Sequence, residues 1–154
     1  MGKKKFKQAD SVALQLMGMC SGNAALTSKA QLVMDEFERI QKIDNIIKKQ
    51  DNLMLNKVLH ATRAMDTGMR TFLELNNAMP IGQYSMGAYL TALRRGKTKK
   101  FGRLNSGLSE RIQKGVVDKR NAFVHAAGKY PTKNEAEQLI GDIVSYLQTI
   151  LNLA

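Results

Sequence analysis

Residues 131–150, PTKNEAEQLIGDIVSYLQTI, form the clearest helical pattern in the chain. After Pro131, Thr132 and Glu135 stand at the spacing of a capping box, with which many helices begin. Apolar residues then recur at intervals of three and four, at Leu139, Ile143, Leu147 and Ile150. Such residues share one face of a helix, and that face must be buried against other elements. The rest of the chain is therefore expected to supply its partners.

The same periodicity runs through the preceding residues. It predicts helices over 28–49, 55–73, 84–93 and 107–127, with a weaker one over 10–19. Gln50-Asp51-Asn52 either forms a break or lies within a helix that runs through it. No useful stretch alternates polar and apolar residues as a strand does, and no repeat is present. We therefore predict an all-α fold, a single up-and-down bundle of about five helices.

Size and composition are those of one ordinary domain. The chain has 154 residues, of which 44% are apolar and 24% charged, and this suffices for one hydrophobic core. No apolar run is long enough to cross a bilayer, and the charged start lacks the apolar segment of a secretory signal. Cys20 is the single cysteine, which fits a reducing compartment. We expect a cytoplasmic protein that does not associate with a membrane.

The excess positive charge is concentrated in two segments. Residues 1–8 hold four lysines, residues 94–103, RRGKTKKFGR, hold six Lys or Arg, and neither segment contains an acid. These ten residues account for most of the net charge of +11, because the remaining 14 basic residues face 13 acidic ones. We divide the chain into a flexible basic tail, residues 1–8, and a single helical domain, residues 9–154.

Local basic clusters of this kind attract polyanions through counterion release, so the charge pattern indicates nucleic acid as a partner. The candidate binding residues come from the internal basic segment and the helix after it: Arg94, Arg95, Lys97, Lys99, Lys100, Arg103, Arg111 and Lys114. In the alternative interpretation, the same charges form a solubilising tail and a loop that bind nothing specific.

Other classes of site lack support in the sequence. His60 and His125 have no second His or Cys at ligand spacing, so no metal site is predicted. Gly96-Lys97-Thr98 looks like the end of a phosphate-binding loop, but Thr91 stands where the first glycine of that motif belongs. We interpret His60 as a structural residue on a helix flank.

The helix predicted over 107–127 has an apolar side and a polar side when it is drawn at about 100° per residue. The apolar side consists of Leu108, Ile112, Val116 and Phe123. His125 lies roughly 200° from Phe123 and is expected to point away from the core. Asn121, Asp118 and Arg111 fall on the side of His125. Arg120 is offset by roughly 140°, but its long side chain can swing toward an anion.

Residues 120–125, RNAFVH, stand near the end of this helix and before the capped C-terminal one. They resemble the signature of the HEPN superfamily, in which an Arg and a polar residue precede a His in an all-helical bundle. The resemblance implies that Arg120 and His125 are the catalytic pair and that Asn121 is the polar residue beside them. It implies a metal-independent ribonuclease that acts on RNA as a homodimer. Such proteins belong to toxin–antitoxin and phage-defence systems, with an antitoxin or other defence-system protein as partner.

The residues suit this chemistry. Cleavage of RNA without a metal uses the 2′-hydroxyl as the nucleophile, one group to take its proton and another to protonate the leaving 5′-oxygen. Imidazole serves both proton transfers near neutral pH, and Arg is a permanent phosphate donor. We expect no cofactor. Because each helix supplies one His125, a two-fold dimer would bring a second His125 to the site.

Two other interpretations stay open. In one, the chain is a non-catalytic helical module that holds RNA or a partner protein with the basic segment. In the other, it is an oligomerising subunit whose polar helix face only makes the dimer. An intact signature favours the ribonuclease, whereas a buried His125 would favour the non-catalytic module.

Overall fold

The structure, a computed structural model, describes residues 3–96 and 101–154, and the secondary structure of these residues is entirely helical. Six helices follow one another: α1 (Lys3–Met19), α2 (Ala24–Lys42), α3 (Gln50–Leu75), α4 (Met86–Arg95), α5 (residues 106–125) and α6 (Lys133–Leu151). A 3₁₀ turn, Ile43–Asn45, extends α2. The all-α bundle is confirmed. The sixth helix is α1, which begins at Lys3 and so includes most of the residues assigned to the basic tail.

Local capping fixes where α2 begins. The Asn23 side chain accepts a hydrogen bond of 3.1 Å from the Leu26 amide, so the helix starts at Ala24 rather than near Ser28. The Ser28 hydroxyl donates to the Ala24 carbonyl inside the helix and is not a cap. The break between α2 and α3 lies at residues 46–49, just before the residues 50–52 considered for it, and α3 begins at Gln50.

The capping box that opens α6 is confirmed. The Glu135 amide donates to the Thr132 hydroxyl and the Thr132 amide donates to the Glu135 carboxylate, both at 3.1 Å. Each bond satisfies an amide that the helix itself leaves unpaired. The predicted apolar face of α6 is buried along its whole length.

Four of the helices, α1, α2, α3 and α6, form the bundle, in which α3 packs against both α2 and α6, and α1 against the same two helices. Helices α2 and α3 are antiparallel, since Lys29 near the start of α2 pairs with Glu74 near the end of α3. In contrast, α6 runs parallel to α1: Gln15 bonds to Gln148, and Ser11 lines a cavity with Ser145. The strict up-and-down order therefore ends after α3, because α4 and α5 are inserted before α6.

The two shorter helices lie on one side of this bundle. Helix α4 packs on α3, and α5 touches α3, α4 and α6. The segment between α4 and α5 returns to the core through Phe101, whose ring meets Phe72 edge to face with centroids 5.4 Å apart. The Leu104 amide donates to the Leu93 carbonyl at 3.0 Å. These contacts fix the start of α5 relative to α3. Among the described residues, no helix combines the length and apolar character needed to cross a membrane.

Helices α3 and α6 approach closely at a glycine. A β-carbon added at Gly68 would lie 2.8 Å from Leu147 Cδ2, inside van der Waals contact, and both residues are buried. At Gly18, an exposed position in α1, an added β-carbon would meet nothing within 4 Å.

We expect Gly68→Val to lower the free energy of unfolding by about 1–3 kcal/mol, because the added methyls overpack the core between α3 and α6. The matched variant Gly18→Ala should instead raise it by about 0.5–1 kcal/mol, since alanine restricts the unfolded chain and favours the helix. Urea denaturation followed by circular dichroism measures both changes. A Gly68→Val protein as stable as the parent would contradict the close approach of α3 and α6.

Candidate active site

Helix α5 carries the RNAFVH residues and is not a regular α-helix. It consists of α-helical Ser106–Ile112, π-helical Gln113–Asp118 and α-helical Lys119–His125. The side-chain amide of Gln113 donates from Nε2 to Asp118 Oδ1 at 3.0 Å, across five residues. A π turn contains more residues than an α turn, so a constant angle of about 100° per residue does not hold across it. The predicted alignment of Arg111 with His125 assumed a regular helix across this turn, whereas Asp118 and His125 are joined by α-helical residues alone.

A cleft of about 330 Å³ lies between α3, α4 and α5. Helix α5 contributes Val117, Arg120 and Asn121 to its wall. Helix α3 contributes Thr62, Arg63 and Asp66, and the start of α4 contributes Tyr84, Ser85, Met86 and Gly87. The cleft is thus built from three consecutive helices, and its wall residues come from three separate stretches of the sequence.

The structure places the three signature residues in two different settings. Arg120 is half-buried and Asn121 is exposed, both line the cleft, and Arg120 Nη1 donates to Asn121 Oδ1 at 2.9 Å. His125 is exposed at the last position of α5 and is not part of the cleft wall. Phe123 is buried, so the core side of this helix is as predicted and His125 points away from it.

The cleft also contains charged residues that the sequence did not single out. Asp66 and Arg63 come from α3, and Tyr84 stands before α4 with the Arg70 guanidinium 5.0 Å from its ring centroid. Burial raises the pKa of the Asp66 carboxyl, and the positive charges of Arg70 and Arg120 offset this only in part. No local motif marks these residues, because their shared position arises from helix packing.

His60 belongs to a separate cluster around a buried carboxylate. Its Nδ1 lies 2.6 Å from Glu36 Oε2, while Arg63 Nη2 lies 3.2 Å and Arg39 Nη1 3.9 Å from Glu36 Oε1. Glu36 is only 7% exposed, so it needs these partners to be buried at tolerable cost. This position supports the structural interpretation of His60. Arg63 connects the cluster to the cleft, because it lines both.

The described members of the predicted basic surface are exposed: Arg94, Arg95, Arg103, Arg111 and Lys114. Arg94 lines a second cavity, of about 410 Å³, between α4 and the start of α5. Gly87 lines both this cavity and the cleft, so the two are adjacent. Lys114 pairs with Glu110 at 2.8 Å. Lys97, Lys99 and Lys100 lie outside the described residues.

The remaining candidate chemistry is limited. In the described part of the chain, no three His, Cys, Asp or Glu residues are grouped as they would be around a metal ion. Cys20 is free and buried, and burial raises the pKa of its thiol, which makes it a poor nucleophile. Comparison of the chain with protein-family models, with curated proteins and with solved structures finds no match.

The two histidines should respond differently to replacement. We expect His60→Ala to lower the free energy of unfolding by about 1–3 kcal/mol, because Glu36 loses a short hydrogen bond in a buried site. His125→Ala should change it by less than about 0.5 kcal/mol, because His125 is exposed. Thermal and urea denaturation of both variants measure the difference. A large loss of stability in His125→Ala would show that this residue supports the fold.

Proposed function

We propose that the protein is a HEPN-type, metal-independent endoribonuclease that cleaves RNA by attack of a 2′-hydroxyl. The observation that carries this proposal is the position of Arg120 and Asn121, joined by a 2.9 Å hydrogen bond in the wall of a cleft, one and a half turns before an exposed His125. The signature thus lies on an accessible surface and does not form part of the core.

The charges around the cleft favour a phosphodiester. Two guanidinium groups, from Arg63 and Arg120, and one carboxylate, that of Asp66, line the cleft, and Arg63 is also paired with Glu36. Helix α4 begins in the cleft wall at Met86, with Ser85 as its N-cap, and a helix N-terminus presents amides and partial positive charge to an anion. Arg120 forms no ion pair with the described residues, so its guanidinium is available to a phosphate.

The proposed reaction follows from these groups. Arg120 binds the phosphate and stabilises the negative charge that grows on it in the phosphorane. Asn121 holds Arg120 in position through its carbonyl oxygen. His125 transfers a proton, which general acid–base catalysis requires at the nucleophile or the leaving group. The products are a 2′,3′-cyclic phosphate and a 5′-hydroxyl.

We further propose that the protein works as a homodimer, in a toxin or phage-defence role with an antitoxin or other partner protein. The exposed side chains of Val124 and Tyr130 support the dimer, because they flank His125 in the sequence and offer apolar surface to a second copy. A two-fold axis near this end of α5 would bring two His125 side chains together.

A non-catalytic RNA- or protein-binding module is the second candidate. One observation favours it: His125 lies outside the cleft that holds Arg120. Such a protein would bind RNA and leave it intact.

We expect His125→Ala and Arg120→Ala each to slow RNA cleavage by about 100- to 10,000-fold, the usual contribution of a proton-transfer or charge-stabilising group. Asn121→Ala should cost less, since water can replace part of its positioning role. Gel analysis of a labelled single-stranded RNA, with the 3′ ends of the products identified, measures these rates. Cleavage should persist in EDTA, because each proposed step uses a protein side chain, and a DNA strand of the same sequence should survive.

The control is a mixture of the two inactive variants. If the active unit combines residues of two copies, subunits carrying His125→Ala and Arg120→Ala should regain part of the parental activity when they are mixed. A folded His125→Ala protein that cleaves RNA at the parental rate would exclude the mechanism. Intact RNA with the unaltered protein, together with tight binding, would favour the non-catalytic module.

The exposed arginines near the second cavity should contribute to RNA affinity. We expect the triple change of Arg94, Arg95 and Arg103 to Gln to weaken binding and to reduce the slope of log K against log salt by up to about 2, since each phosphate contact on a single strand contributes about 0.7. The matched triple change of Lys42, Lys48 and Lys49 to Gln removes the same charge from another exposed region. Equal effects of the two variants in fluorescence anisotropy would contradict a localised binding surface.

A further inference from the structure

Asp66 is a cleft carboxylate that the reaction described above leaves without a role. It is half-buried on α3 and lines the same 330 Å³ cleft as Arg120 and Asn121 of α5. Within residues 3–96 and 101–154 its carboxylate forms no hydrogen bond and no ion pair closer than 4.0 Å. Neither carboxylate oxygen is fully buried, so both are open to solvent. Asp66 is therefore positioned to interact with a ligand in the cleft.

The reaction needs two groups that transfer protons, and the RNAFVH segment of one chain contains a single histidine. Asp66 is a second such group, and it faces the cleft together with the cation proposed to bind the phosphate. The charges of Asp66 and Arg120 influence each other without direct pairing. A phosphodiester bound at Arg120 would share the cleft with the Asp66 carboxylate.

We infer that Asp66 is the base that accepts the proton of the attacking 2′-hydroxyl in the ribonuclease proposed above. The O2′–H bond breaks, its proton moves to the Asp66 carboxylate, and the electron pair left on O2′ forms the bond to phosphorus. The P–O5′ bond then breaks, and O5′ takes a proton from the protonated imidazole of His125. This inference rests on the proposed function and assigns His125 the role of acid.

The surroundings of Asp66 suit a base. Arg63 and Arg70 on its own helix, Arg120 on α5, and Tyr84 and Tyr89 on the α4 side are the charged or titratable groups around it. Burial raises the pKa of the carboxyl, while Arg70 and Arg120 pull it back. A raised pKa makes the carboxylate a stronger base than an exposed aspartate. Arg120 lies in the same cleft and forms no ion pair with the described residues, so its positive charge offsets the repulsion between the carboxylate and a phosphate.

The test is Asp66→Asn, which keeps the shape of the side chain and removes the base. Single-turnover cleavage of a labelled single-stranded RNA should slow by about 100- to 10,000-fold. RNA affinity should stay the same or increase, because a negative charge has left the cleft. The rise in rate with pH on the acidic side, where Asp66 loses its proton in the parent, should disappear. Asp66→Glu should retain more activity than Asp66→Asn, because it keeps a carboxylate.

Asp35→Asn is the matched control, because it makes the same chemical change on α2 at a half-buried aspartate that is not part of the cleft wall. Its cleavage rate and pH profile should match the parent. If circular dichroism shows that Asp66→Asn does not fold, Asp66→Ala replaces it in the test. Added formate should then restore part of the RNA cleavage rate, because it supplies the missing carboxylate.

Two results would overturn the inference, and they are distinguishable. An Asp66→Asn protein that cleaves at the parental rate with an unchanged pH profile would exclude Asp66 as the base, while loss of activity in His125→Ala would leave the ribonuclease function standing. Failure of the unaltered protein to cleave any single-stranded RNA would exclude the function itself, and the role of Asp66 with it.

Discussion

Burial of α3 on several sides is the constraint on which the rest of the structure depends. This helix packs against α2, α6, α4 and the end of α5, and twelve of its residues are buried. Burying large side chains such as Phe72, Met65 and Met69 contributes about 1.5–3 kcal/mol each. That packing gives α3 a fixed position against α4 and α5. The polar residues on its cleft side, Arg63 and Asp66, are held there by a helix whose remaining surface is anchored in the core.

The arginines around the cleft differ in whether they already form an ion pair within the protein. Arg70 donates to Glu74 at 2.9 Å, and Lys29 donates to the same carboxylate at 2.6 Å. Burial alone would raise the pKa of the Glu74 carboxyl, but the hydrogen bonds and charges of Lys29 and Arg70 lower it overall. Arg70 is thus committed to an ion pair. Arg120 has only the neutral amide of Asn121 as a partner in the described residues, which leaves its charge for a ligand.

The sequence predicted the helices better than the site. Capping at Thr132 and the apolar stripe of α6 are local features, and both are present in the structure. The predicted start of α2 is too late, because the cap at Asn23 is not obvious from the sequence. The predicted break before α3 is also too late, because residues 50–52, which look like a break, are compatible with the first turn of a helix. The π turn in α5 has no distinct sequence pattern, so the helical wheel could not place Arg111 relative to His125. Asp66 and Arg63 were missed for a different reason: tertiary packing alone brings α3 beside α5.

The position of His125 sets a requirement for any reaction in the cleft. The helix ends at this residue, the C-cap Ala126 is extended, and Gly128 adopts a positive φ of 77°. Residues 124–130 are all exposed, so few buried contacts hold this end of α5 in one conformation. Segments of this kind open or rearrange at lower free energy than the core. A reaction in the cleft therefore requires the imidazole to arrive by a local rearrangement of this end of α5 or from a second copy. If Asp66 accepts the first proton, one His125 per site is sufficient. A dimer would then serve to position that histidine and would not be needed to supply a second histidine.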